Sequence, residues 1–175
     1  VPLYRSEYEH DACGTGFVAD LSGKPSYTIV RYALEAVVNL THRGAVSADA
    51  KTGDGAGITV QLPRKLLARE LARLYGLTVD PERLAAGLVF LPANDPSLAA
   101  RCKQALTEAL HAQAIADVWW REVPIDPDVL GQQARQTMPR IEQVIAARPA
   151  DIDAMEFERR LYLARRQAER VAKEV

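Results

Sequence analysis

The sequence predicts a mixed fold, α/β or α+β, in which helices cover sheet faces. Two observations carry that expectation. Apolar residues recur at helical spacing through 26–40, 64–75, 97–114 and 157–171. Between them lie short alternating or continuous apolar runs at 13–20, 58–62, 84–91, 117–123 and 141–147, the mark of strands. The pattern alone does not separate a doubly wound parallel sheet from two antiparallel sheets sandwiched between helices. With 175 residues, 48% of them hydrophobic, the chain is long enough for one domain with a core.

Residues 1–12 are polar and irregular, with Arg5, Glu7, Glu9 and Asp11, and read as a leader with little to bury. Cys13-Gly14-Thr15-Gly16-Phe17-Val18-Ala19-Asp20 then alternates as a half-buried strand. Its glycines leave room for a substrate carbonyl beside the sulfur. That composition suits a nucleophile at the mouth of a sheet, and equally a strand with a small buried thiol. Leu21 to Pro25 is a turn. Ser26 caps a helix whose stripe is Ile29, Val30, Ala33, Leu34, Val37 and Leu40. Thr41-His42-Arg43-Gly44-Ala45 ends it, and Gly44 is expected in the left-handed conformation that closes helices.

Thr52-Gly53-Asp54-Gly55-Ala56-Gly57 precedes a second alternating strand, Ile58–Leu62, which stops at Pro63. No strand leads directly into this loop and no helix follows it, so it matches neither nucleotide-binding fingerprint. A tight turn in which Asp54 bonds its own backbone is the reading adopted. Arg64 to Tyr75 is a helix stopped by Gly76, and Asp80-Pro81 opens a helical turn. Leu84–Leu91 is continuously apolar, so a strand buried on both faces is expected, ended by Pro92. A helix from Ser97 to Ala114 carries Leu98, Cys102, Leu106 and Leu110 on one stripe, with Cys102 a small core residue. Strands follow at Asp117–Val123, with Trp119 and Trp120, and at Ile141–Ala147, separated by Pro124, Pro127, Gly131 and Pro139. Asp153 and Glu156 form a capping box for a last helix with Phe157, Leu161, Ala164, Ala168 and Val171 along one face.

Charge excludes several function classes. Twenty-two basic residues balance 23 acidic ones, which leaves no electrostatic footprint for nucleic acid or an anionic membrane. No apolar run approaches the roughly 20 residues a membrane span needs, and no signal-peptide core is present, so a cytoplasmic location is expected. Two cysteines make no disulfide framework, and three scattered histidines give no zinc spacing. A thiol redox role is disfavoured because no Cys-x-x-Cys occurs.

Three segments in register are more specific than any alone: Cys13-Gly14-Thr15-Gly16-Phe17, His42-Arg43-Gly44-Ala45 and Thr52-Gly53-Asp54-Gly55-Ala56-Gly57. Gly87-Leu88-Val89-Phe90-Leu91-Pro92, Trp120-Arg121-Glu122-Val123-Pro124 and Met138-Pro139-Arg140-Ile141-Glu142-Gln143 follow in order. Together they resemble the start of the class II glutamine amidotransferase domain of glutamate synthase large subunits, over nearly the whole chain. The resemblance implies an α+β N-terminal-nucleophile (Ntn) hydrolase, a four-layer αββα sandwich of which this chain is the N-terminal portion. It implies that glutamine is hydrolysed to glutamate and ammonia, with Cys13 as nucleophile once the leader 1–12 is removed and residues 13–175 belonging to the amidotransferase domain. Arg43 would then orient the cysteine end of the site, while Gly14, Gly44, Asp54 and Gly55 support it. FMN and an iron–sulfur cluster belong to other domains of the resembled enzyme, so no cofactor and no metal is expected on this chain. Glutamine and the remaining glutamate synthase domains, or a complementary chain, are the partners implied.

The chemistry is self-consistent. A free α-amine titrates near 7.7–8.0 and a free thiol near 8.5, so an N-terminal cysteine carries its own base and needs no histidine. Two departures from the family pattern matter. While a leader is attached the Cys13 nitrogen is an amide. The family's oxyanion Asn-Gly pair and its glutamine-clamping arginine segment lie downstream of the equivalent of Val175, and no Asn-Gly occurs in this sequence. Losing one oxyanion donor costs about 10²–10³ in rate, so weak or no glutaminase activity is expected of this polypeptide alone. The alternative from a different class is a non-catalytic binding or assembly module. The apolar strands at 58–62, 84–91 and 141–147 are expected to leave sheet edges that promote homo-oligomers.

Overall fold

A computed structural model describes residues 14–44, 49, 51–53 and 55–172, with Arg43 described by its backbone only. The chain divides into two compact units, Val1–Val60 with Pro127–Gln136, and Gln61–Asp126 with Thr137–Val175.

In the first unit, helix α1 spans Tyr27–Asn39. It starts where expected, because the Ser26 hydroxyl accepts the Thr28 amide. No residue of α1 is buried, and Tyr27 and Val38 are largely exposed. The predicted turn before it is present. Asp20 Oδ1 accepts from the Ser22 amide, the Gly23 amide bonds the Asp20 carbonyl, and Gly23 takes φ 66°, which glycine adopts without a Cβ clash. Pro127–Val129 is a 3₁₀ turn, and the short helix α4 spans Gln132–Gln136. The breaks expected from Pro127 and Gly131 therefore frame two small helical pieces.

Two expected strands are absent as paired strands. Residues 14–20 have no regular secondary structure and are exposed, Phe17 almost fully. Residues 58–62 are likewise not paired in a sheet. A strand exists through ladder bonds to a neighbour, and alternation in one segment cannot supply that neighbour. Leu62 instead packs against the α2 cluster described below.

The second unit is built on a three-stranded antiparallel sheet in the order β1-β3-β2, with β1 at Leu84–Leu91, β2 at Val118–Glu122 and β3 at Arg140–Ala147. β1 and β2 run parallel with β3 inserted between them, and α3 (Pro96–Ala112) makes the crossover. Alternation along the strands sorts residues to two faces. Ala85, Val118, Val144 and Ala146 meet Leu106, Ala109 and Leu110 of α3 and Phe157, Leu161 and Ala164 of α5 (Ala154–Ala172). Leu84, Ala86, Trp119, Ile145 and Ala147 meet Leu67 and Leu71 of α2 (Arg64–Tyr75). Leu67 and Leu71 are essentially inaccessible, each worth about 1.5–3 kcal/mol of apolar burial.

The helix ends follow their sequence signals. Gly76 closes α2 at φ 68°, donating its amide to the Ala72 carbonyl. Asp80 caps the 3₁₀ turn Pro81–Arg83. Helix α3 begins one residue earlier than expected, at Pro96, because Asp95 accepts the Leu98 amide and proline is favoured in a first turn. Asp153 accepts the Glu156 amide at 2.8 Å, which is half of the expected capping box. The Glu156 carboxylate turns instead to Arg159 and Arg160.

Three burial expectations are corrected. Among the described residues β1 is an edge strand rather than one buried on both faces, and Leu88 and Phe90 are 56% and 64% exposed. α2 covers only the Leu84 end of that face. β3 is central and leaves no edge, since β1 and β2 flank it. Cys102 is half-buried rather than a core residue.

Candidate functional site

Of the residues singled out from the sequence, Cys13 and Asp54 lie outside the described residues. Gly14 is exposed in the irregular 14–20 segment. Arg43 is the last residue of the 3₁₀ turn Thr41–Arg43, directly after α1. Gly44 follows with φ −91° and ψ 152°, its amide bonded to the Thr41 carbonyl at 3.2 Å. That extended conformation corrects the left-handed one expected. The helix has already ended at Leu40, whose amide bonds the Ala36 and Val37 carbonyls, so no left-handed closure is needed. Gly55 is exposed, with open space where a Cβ would stand. His42 Nδ1 lies 2.9 Å from the Asn39 carbonyl, a local helix-end contact.

The structure adds a junction that the sequence reading passed over. Asp49 Oδ1 accepts the amides of Lys51 and Thr52, at 3.1 and 2.7 Å. Asp49 Oδ2 accepts the Thr52 hydroxyl at 2.6 Å and the Gln133 amide at 3.4 Å. Thr52 Oγ1 in turn accepts the Ala134 amide at 3.4 Å. These bonds hold the Asp49 carboxyl far below the ordinary carboxylate range, the Thr52 hydroxyl most of all, then the Thr52 and Lys51 amides. Asp49 is therefore a fixed anion and not a proton carrier. Asp-x-x-Thr is the available sequence signal, since a short Asp side chain readily bonds amides two and three residues on. Nothing in the sequence announces the partner segment more than 80 residues away.

Among the described residues no three His, Cys, Asp or Glu side chains converge to hold a metal. In the second unit a shallow groove of about 510 Å³ lies along α2 and residues 77–81, lined by Lys65, Arg69, Ala72, Leu77 and Val79 among others. None of the candidate site residues lines it.

Comparison with known sequences resolves the family. The profile of the "Glutamine amidotransferases class-II" matches residues 13–175. The chain is 43% identical over 157 residues to the ferredoxin-dependent glutamate synthase 2 of Synechocystis sp., covering 90% of this chain and 10% of that protein. It is 39% identical over 170 residues to the NADPH glutamate synthase large chain of Azospirillum brasilense, covering 97% and 11%. The corresponding large chain of Bacillus subtilis is 36% identical over 168 residues, covering 95% and 11%. The chain thus spans about a tenth of the length of the curated relatives it matches. With the match running from Cys13 to Val175, the chain belongs to the class II glutamine amidotransferases.

Proposed function

We propose that this chain is the N-terminal part of a glutaminase domain of a glutamate synthase, with Cys13 as its nucleophile. The observation that carries the reading is the family match, whose first residue is Cys13. Residues 1–12 fall outside that match. Their removal would convert the Cys13 nitrogen from an amide to an amine able to take the thiol proton. The thiolate then attacks the glutamine side-chain carbonyl carbon. The C–N bond breaks, ammonia leaves with the proton held by the amine, and a thioester remains. Water hydrolyses it to glutamate and restores the thiol.

In this reading Arg43, with Gly14 and Gly44, shapes the cysteine end, and Asp54 and Gly55 support the site from the neighbouring loop. The fold is the first portion of a four-layer αββα Ntn sandwich, and further glutamate synthase domains complete it and use the ammonia. We place no cofactor on this chain, and a cytoplasmic location. Among the described residues no helix is long and apolar enough to cross a membrane.

The test is covalent labelling with a glutamine-like diazoketone, read by mass spectrometry, on the chain with residues 1–12 present and removed. An adduct confined to Cys13, faster after removal and absent from Cys102, is expected. Equal labelling of Cys13 and Cys102, unaffected by removal, would overturn the reading in favour of a non-catalytic module.

A further inference from the structure

We propose that Asp49 is a positioning residue of the glutamine-hydrolysing site, clamping the start of the glycine-rich loop, at Lys51 and Thr52, onto the segment 131–136. The inference rests on the glutaminase reading above and deepens it.

One carboxylate collects four donors, two from the loop backbone, one from the Thr52 side chain and one from the first turn of α4. The first three, taken alone, would be a local turn. The bonds to Gln133 and Ala134 are different in kind, because they join residues 84 and 82 positions apart. Contact at Gly131 is closer still. A Cβ on this buried glycine would lie 2.2 Å from Thr52 Oγ1, 2.5 Å from the Thr52 nitrogen and 2.6 Å from Asp49 Oδ2. The loop therefore seats directly on backbone that only glycine leaves bare.

The receiving segment is itself braced. Leu130 and Arg135 amides bond the Pro127 and Gly131 carbonyls, and the Arg135 guanidinium bonds the Pro127 carbonyl at 2.7 Å. By contrast, Gly55 and Gly57 meet nothing where a side chain would stand. A loop with three glycines in six residues has much backbone freedom to lose, and hydrogen bonds at Asp49 and Thr52 supply a fixed point. Ionised Asp49 makes those bonds charge-assisted, and thus stronger than neutral ones.

The experiment compares two reagents at Cys13: the glutamine-like diazoketone, which must be seated, and iodoacetamide, which need only reach the thiol. Asp49→Ala, Asp49→Asn and Gly131→Ala are each measured in the full chain and with residues 1–12 removed. Diazoketone labelling is expected to fall on the order of tenfold in Asp49→Ala and Gly131→Ala, with the iodoacetamide rate unchanged. Asp49→Asn should recover part of the loss, since its amide oxygen still accepts from Lys51 and Thr52. General loosening of the fold would move both reagents together, and that result overturns the proposal. So does an unchanged ratio in all three variants. If the unsubstituted chain shows no preference for the diazoketone at Cys13 in either form, the glutaminase reading itself fails and takes the positioning role with it. If Asp49→Ala does not fold, Gly131→Ala, which leaves the carboxylate in place, decides.

Discussion

Lys103 Nζ and Glu142 Oε2 lie 2.5 Å apart, joining α3 to the central strand, and the Glu142 side chain is only 2% exposed. Glu142 stands directly across the ladder from Glu122, and Arg140 Nη2 bridges the two carboxylates at 2.8 and 3.0 Å. The Arg140 contact with Glu142 is close but poorly aligned, leaving Oε1 without a hydrogen bond. Lys103 is thus the directional partner, and it also sits 4.9 Å from the centre of the Trp120 ring. Trp120 is in turn held to α3 through Thr107.

Removing Lys103 takes away the directional partner of the buried Glu142 carboxylate and leaves it only the poorly aligned Arg140 contact. Lys103→Met is expected to cost about 3 kcal/mol in urea unfolding, while Lys103→Met with Glu142→Leu recovers most of that loss. Additive losses in the double variant would show that the pair is not coupled.

Gly76 is the second test of stability. Its φ of 68° closes α2, and no neighbouring atom lies within 4 Å of where a Cβ would stand. Gly76→Ala meets no clash, so its cost is backbone strain alone, about 1 kcal/mol. Gly55→Ala, which has neither positive φ nor a close neighbour, is the matched control and should leave the melting temperature nearly unchanged.

The acid limb of stability carries a contribution from α5. Hydrogen bonds from Arg159 and then Arg160 draw the Glu156 pKa from 4.5 to about 2. Between those values the unfolded chain binds more protons than the folded one, so stability rises with pH there. The contribution is present above pH 4.5 and is lost as pH falls toward 2. Glu156→Gln should flatten this part of the stability–pH curve, and an unchanged slope would contradict the assignment.

Association should follow from the outer edge of β1, which has no strand partner among the described residues. Edges with exposed apolar side chains invite pairing, here with a second copy, and Leu88 and Phe90 are more than half exposed. Light scattering is expected to show concentration-dependent mass. Leu88→Lys should reduce it with little effect on the melting temperature, since the side chain is mostly in water. A concentration-independent monomer would count against the edge as an interface.

Legibility in the sequence tracked how local the cause was. The helices from Tyr27, Arg64, Pro96 and Ala154 were readable because each carries its own apolar stripe and a cap or stop nearby. Ser26, Gly76, Asp80 and Asp153 act on residues within four positions. The strands at 84–91, 117–123 and 141–147 were legible as strands, but not their order. Placement of β1 at an edge depends on β3 inserting beside it, which no property of Leu84–Leu91 encodes. The segments at 14–20 and 58–62 alternate as strands should, yet remain unpaired. Asp49 was missed for the same reason, since its distinguishing partners are Gly131 and the first turn of α4.

Residue order by itself determined the family, the helices with their ends, and the identity of Cys13, Arg43 and the Thr52–Gly57 loop as the residues to test. Those depend on side-chain type and short spacing, which the chain carries in any conformation. Only the tertiary structure decided which strand lies in the middle, which apolar faces stay uncovered, and that an aspartate outside the predicted site ties its loop to a distant segment. Such features arise from contacts between residues far apart in sequence, and neither partner shows in the other's local pattern.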